Sequence, residues 1–227
     1  MNTDCQYRHE NGRMNGSDGY IASVSFWGLL ALGLFGFAIL IFKFWPYTMD
    51  DSYITFRYAR NLAAGHGLVF NPGEQPRAEG ITSPLYAILL SLTPASVDLP
   101  TVSKCLGALS TLLTALLIGL LIFRLCRCVT TLQRPALLVT SAAGICYYLL
   151  NPYIVGNAMS GMETALAGLV FALFLFLLQI SLTNEQSGYL YSIITGTTAT
   201  LVPMLRPEMG LVVIVGILAL WLLAPER

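Results

Sequence analysis

Asp50 and Asp51 stand side by side, and Arg57, Arg60 and His66 follow within the next sixteen residues. On a helix, Asp50 and Arg57 share a face two turns apart, about 10 Å along the axis at a rise of roughly 1.5 Å per residue. That separation suits the two ends of one substrate. A carboxylate at one end would take a proton from a hydroxyl, and a guanidinium at the other would hold a phosphate through paired hydrogen bonds. Asp51 lies one residue further round the helix and reads as its cap, which leaves Asp50 as the base. A plainer reading stands beside this one. Any helix dipole favours acids in its first turn, so the pair is equally a cap. On an interfacial helix, Arg57 and Arg60 are also lipid-headgroup contacts. His66, beside Gly67, either meets a phosphate or serves as a turn partner.

Further candidates come later in the chain. Glu163 lies in Ser160-Gly161-Met162-Glu163-Thr164, where it is either a helix cap or the edge of a site. Arg206-Pro207-Glu208 reads first as a local ion pair at a helix break, and Pro203 with Pro207 marks a broken segment of the kind that lines cavities. Paired aspartates could hold a divalent cation, but no further ligand accompanies them and no cofactor is implied. The five cysteines have neither disulfide-framework nor zinc-site spacing. Cys126 and Cys128, beside basic residues, read as interfacial thiols in preference to palmitoylation sites.

A membrane bundle must position these groups. Only 11% of the 227 residues are charged and 56% are hydrophobic, against about 25% charged in an average globular domain. Lipid is needed to cover that much apolar surface. Twelve basic residues balance twelve acidic ones, so no net field exists to hold a nucleic acid. Apolar runs over residues 21–44, 105–123, 136–150 and 164–182 read as spans, and shorter ones over 189–205 and 209–224 either span or form a re-entrant hairpin. The fold class is therefore all-α, a multi-pass bundle of about six spans. Residues 1–20 form a tail, 21–45 the first transmembrane helix, 46–104 an extramembrane loop, and 105–227 the further helices.

Arg124, Arg127 and Arg134 mark the cytoplasmic side. Parity then puts the tail, with Arg8 and Arg13, inside, and puts the 49–100 loop and the turns at 151–163 and 206–208 outside. Almost every non-terminal acid falls on that outer face, which reads as the side of the site. Within the loop, Thr48 and Asp51 have capping-box spacing before an amphipathic helix over about 49–64, stopped at Gly65 or Gly67. Leu68 to Glu74 reads as an extended piece entering an Asn-Pro-Gly turn that closes over the helix, and 85–92 as a juxtamembrane helix.

The runs Asp50-Asp51-Ser52-Tyr53-Ile54-Thr55-Phe56-Arg57-Tyr58-Ala59-Arg60-Asn61-Leu62, Gly65-His66-Gly67-Leu68-Val69-Phe70-Asn71-Pro72-Gly73-Glu74 and Glu79-Gly80-Ile81-Thr82-Ser83-Pro84-Leu85 resemble the first outer loop of polyprenyl-phosphate-sugar-dependent glycosyltransferases of the GT-C superfamily. The likeness is greatest to the bacterial branch related to mycobacterial arabinofuranosyltransferases. Ser160 to Thr164 and Leu205-Arg206-Pro207-Glu208 resemble two further motifs of that branch, in the same order. The resemblance implies a multi-pass enzyme of the plasma membrane with a GT-C-like N-terminal module. It implies a polyprenyl-phosphate-linked sugar as donor and a glycan, lipid or protein hydroxyl as acceptor. Asp50 would be the base and Asp51 its support. Arg57, Arg60 and His66 would face the donor phosphate or headgroups, and Glu79, Glu163, Arg206 and Glu208 would complete the substrate-binding edge. Such enzymes carry more helices than this chain, so the match is to a front half, which reads as a truncated product, a fragment, or one part of a split assembly that a larger membrane partner would complete. Two other classes compete. A lipid-sugar transporter component predicts ionisable groups at mid-membrane, whereas the acids lie at segment ends. A non-catalytic assembly subunit would retain only the lipid-phosphate site.

Overall fold

The computed structural model describes residues 16–75, 80–129, 133–183 and 189–223, and every regular element among them is helical. Arg8 and Arg13 in the tail, Arg77 and Glu79 in the loop, the connection at 184–188, and Pro225, Glu226 and Arg227 lie outside the described residues. In chain order the elements are α1 (Gly16–Phe44), α2 (Asp50–Ala63), α3 (Pro84–Ser91), α4 (Leu99–Val129), α5 (Arg134–Leu149), α6 (Pro152–Met159), α7 (Thr164–Thr183), α8 (Tyr189–Leu205), a 3-10 turn (Pro207–Met209) and α9 (Gly210–Leu223).

Three of these, α1, α4 and α7, are long and apolar enough to cross a membrane. A fourth arises if α5 and α6, which meet at a bend of 54°, form one broken span. The bend falls where Pro152 cannot continue the hydrogen-bond ladder and Asn151 caps the new helix, accepting from the backbone N–H groups of Tyr153 and Ile154. With 17 residues in α8 and 14 in α9, these helices extend about 25 Å and 21 Å at roughly 1.5 Å per residue, short of a hydrocarbon core of about 30 Å. Pro203 lies inside α8 without ending it, and the chain breaks at Arg206 instead. Ile21, Phe35 and Phe42 on α1, and Leu211, Val215 and Trp221 on α9, present bare apolar surface that only lipid or another apolar partner could cover.

Contacts between elements distinguish two ends of the bundle. At one, Lys104 near the start of α4 donates from Nζ to the carbonyl of Trp45 at 2.6 Å, just beyond the end of α1. A buried cation thereby meets the negative pole of a helix. The same end holds the backbone bond from Met49 N–H to Ser160 O (2.8 Å) and the ion pair between Arg206 and Glu163. At the other end, Arg124 donates to Gln179 (2.9 Å) and so ties the last turns of α4 and α7 together. The described parts of the 46–104 loop and the turns at 151–163 and 206–208 thus gather at one end.

The loop helices are docked on the bundle. Phe56 and Ala59 of α2 bury against Tyr86 and Leu90 of α3, with Leu99, Ala167 and Leu205 completing the cluster. Burying side chains of this size contributes about 1.5–3 kcal/mol each. The helix expected to lie along the interface therefore rests its apolar face on protein, and the face carrying Asp50, Ile54 and Arg57 is the one left exposed.

Candidate functional site

Four sequence blocks, spread from Met49 to Glu208, meet at the acid-rich end. The start of α2 is fastened to the 160–164 turn by the Met49–Ser160 backbone bond. Gly161 makes the approach possible. Its φ is +86°, and a Cβ there would sit 3.0 Å from Ser52 Oγ and 3.2 Å from the Phe56 ring. Only glycine adopts that conformation without strain. The turn meets α3 through Tyr86, whose hydroxyl donates to Gly161 O, and through Ser83, whose hydroxyl donates to Glu163 (3.3 Å).

Glu163 is the buried hub of this junction, with 2% of its surface exposed. The expected alternative was a cap for the next helix, and the residue does occupy the cap position, its carbonyl accepting from Ala167 N–H. Its carboxylate faces elsewhere, however, forming an ion pair at 2.9 Å with Arg206. A charge this deep must be paired, and the guanidinium supplies the pairing. Arg206 also donates to Thr164 Oγ1 (2.6 Å) and to Glu208 (3.3 Å), so the expected local pair exists as the exposed arm of a larger network. The Glu208 carboxyl is held below its ordinary range, first by its own backbone N–H and then, against slight desolvation, by Arg206. Burial, and secondly the Glu163 carboxylate, push the Tyr86 phenol well above the usual tyrosine range.

Asp50 and Asp51 occupy the first turn of α2, both exposed. Neither the Thr48 capping box nor an Asp51 cap forms. Met49 is the N-cap, with extended backbone and no side-chain cap bond, so Thr48 lies one residue too far out and both aspartates lie inside the helix. Ser52 turns its hydroxyl back onto Met49 O (2.6 Å). The carboxylates are thus free of capping and rest on the positive pole of α2. Among the described residues no group of three or more His, Cys, Asp or Glu side chains is placed to hold a metal ion, so the aspartates stand as a two-carboxylate pair.

The cationic candidates on α2 are turned to its own loops. Arg57 donates to Phe70 O (2.9 Å) and Asn71 Oδ1 (2.7 Å), with its guanidinium 4.4 Å above the Phe70 ring. Asn61 donates to Val69 O and Phe70 O, so the 68–74 segment folds back over the helix. Arg60 donates to Pro94 O and Val97 O. Each guanidinium has five N–H donors and retains some for another partner. His66 follows the far end of α2, about 20 Å from Asp50 at 1.5 Å per residue, and its backbone N–H closes the helix onto Asn61 O. Glu79 lies outside the described residues.

The structure therefore brings Glu163, Arg206 and Glu208 together beside the start of the Asp50 helix, and leaves Arg57, Arg60 and His66 further along it. Ser83, Tyr86 and Thr164 also belong to the junction, and reading the sequence assigned them nothing. The available signal was a tyrosine and a serine flanking Pro84 in an otherwise apolar stretch. Comparison with protein-family models, with curated proteins and with solved structures finds no match to this chain.

Proposed function

We propose that the chain is a membrane glycosyltransferase, or the N-terminal catalytic part of one, transferring a sugar from a polyprenyl-phosphate donor to an acceptor hydroxyl. One observation carries the reading. The blocks that resemble GT-C motifs, far apart in the chain, converge at a single end of the bundle around an exposed acid pair. In this reading α8 and α9 are the two short members of a GT-C-like module of about six crossings, each crossing only with the help of the residues that flank it, and the arginine end faces the cytoplasm.

Asp50 takes the proton as the acceptor oxygen attacks the anomeric carbon, and the bond from that carbon to the phosphate oxygen breaks. Polyprenyl phosphate leaves as an anion. A phosphate leaving group needs positive charge and no general acid, so one carboxylate and a cationic clamp suffice. Arg57 and Arg60 have remaining donors for that clamp, and Asp51 supports the base. Attack opposite the phosphate inverts the anomeric centre, as the resemblance implies.

The experiment is transfer from a radiolabelled polyprenyl-phosphate sugar by the purified chain in lipid. Loss of turnover in Asp50→Asn, with the fold intact, is expected. Turnover that survives both Asp50→Asn and Asp51→Asn would remove the assignment.

A further inference from the structure

Helices α1 and α5 pack side by side. Where they touch, a Cβ at Gly33 would sit 3.1 Å from the Cα of Cys146, and one at Gly36 would sit 2.1 Å from Leu150 Cδ2. The two backbones are drawn together there because glycine adds no bulk. Nearer the starts of both helices a cleft of about 270 Å³ lies between Ala22, Ser23 and Trp27 of α1 and Pro135 and Leu138 of α5.

The cleft is lined mostly by apolar groups, and the residue before its lining Pro135 is an arginine. Arg134 is the first residue of α5, one turn before Leu138 on the same face, and its side chain is exposed. No side chain caps α5, so the positive pole of that helix also opens here. Arg124, by contrast, is held by Gln179 and the Phe176 ring. Trp27 and Tyr20 are exposed on one face of α1 beside the cleft, as aromatic side chains at a lipid headgroup level are.

We infer that this cleft binds an anionic phospholipid, with one acyl chain between α1 and α5 and the phosphate on Arg134. An apolar slot in the hydrocarbon zone selects a chain, and a guanidinium selects a phosphate through charge-assisted hydrogen bonds. A headgroup bearing a compensating cation gains less from the same arginine. The inference rests on the membrane reading alone and is independent of the transfer reaction at the opposite end.

The test uses the full chain in nanodiscs of equimolar phosphatidylglycerol and phosphatidylcholine, extracted in detergent, with co-purified lipids quantified by mass spectrometry. Phosphatidylglycerol is expected several-fold above phosphatidylcholine. Arg134→Gln, at an exposed position that leaves the fold unaltered, brings the ratio to parity. Ser23→Phe, which fills the slot from an exposed site, lowers retention of both lipids. Equal retention by the wild-type chain, an enrichment that persists in Arg134→Gln, or undiminished retention of both lipids in Ser23→Phe would overturn the inference.

Discussion

Asp50 with Asp51, and Glu163, are carboxylates at the starts of helices on the same end of the bundle, yet their surroundings are opposite. The aspartates are exposed, with no cap to make, whereas Glu163 is buried, paired with Arg206 and bonded by Ser83. The same local sequence signal therefore serves two purposes, and burial decides between them. A buried acid must be neutralised by a fixed partner and so becomes part of the frame. An exposed acid on that frame keeps its lone pairs and can exchange a proton.

Removing the partner of the buried acid is the largest expected disturbance. Arg206→Ala strands Glu163 in the interior, and breaking a buried pair this way costs about 3–5 kcal/mol. Glu163→Gln is milder, because Arg206 is partly exposed and keeps Glu208. Loss of one charged hydrogen bond is worth about 1.5–3 kcal/mol. Thermal unfolding in lipid should show that order, and the reverse order would break the comparison. Next in size, Gly161→Ala forces a Cβ into left-handed backbone against Ser52 and Phe56, at about 1–3 kcal/mol. The same unfolding assay measures it, and an unchanged midpoint would mean that the turn and α2 are not in contact.

Asp50→Asn sharpens the contrast from the other side. At an exposed site it should change stability by no more than about 1 kcal/mol, through the helix dipole. Loss of a general base should lower transfer by about 10²–10⁴-fold. The smallest effect concerns Asp98, whose carboxylate accepts from the backbone and hydroxyl of Thr101 at the start of α4. Those bonds hold its pKa below the usual carboxylate value of 3.8, with Lys104 and Arg60 adding to them. Its contribution is therefore complete above that value and is lost as pH falls through the lower folded pKa. Unfolding followed from pH 5 downward should lose that limb in Asp98→Asn, and a wild-type acid profile in the variant would contradict the cap.

Much of the frame was legible in the chain. Long uncharged runs dictate α1, α4 and α7, because nothing but lipid accommodates them. Sites depending on distant partners were not. Glu163 read equally as a cap or the edge of a site because the rule for acids at helix starts is local, whereas the partner of its carboxylate lies 43 positions away. Thr48 and Asp51 have capping-box spacing, yet the Met49–Ser160 bond starts the helix one residue late. The Asn-Pro-Gly turn made the closure of 68–74 over α2 legible, but not that the carbonyls at Phe70, Pro94 and Val97 would hold Arg57 and Arg60, since which carbonyl a loop presents leaves no periodic signal.

The central claim is that one end of this bundle separates a structural carboxylate from a reactive one. Transfer from labelled donor and the thermal midpoint, measured together on Asp50→Asn and Arg206→Ala in one lipid preparation, test it most directly. The account predicts that Asp50→Asn loses transfer with its midpoint within a few degrees of wild type, while Arg206→Ala loses its midpoint. Transfer undiminished in Asp50→Asn, or a midpoint falling as far there as in Arg206→Ala, would contradict it.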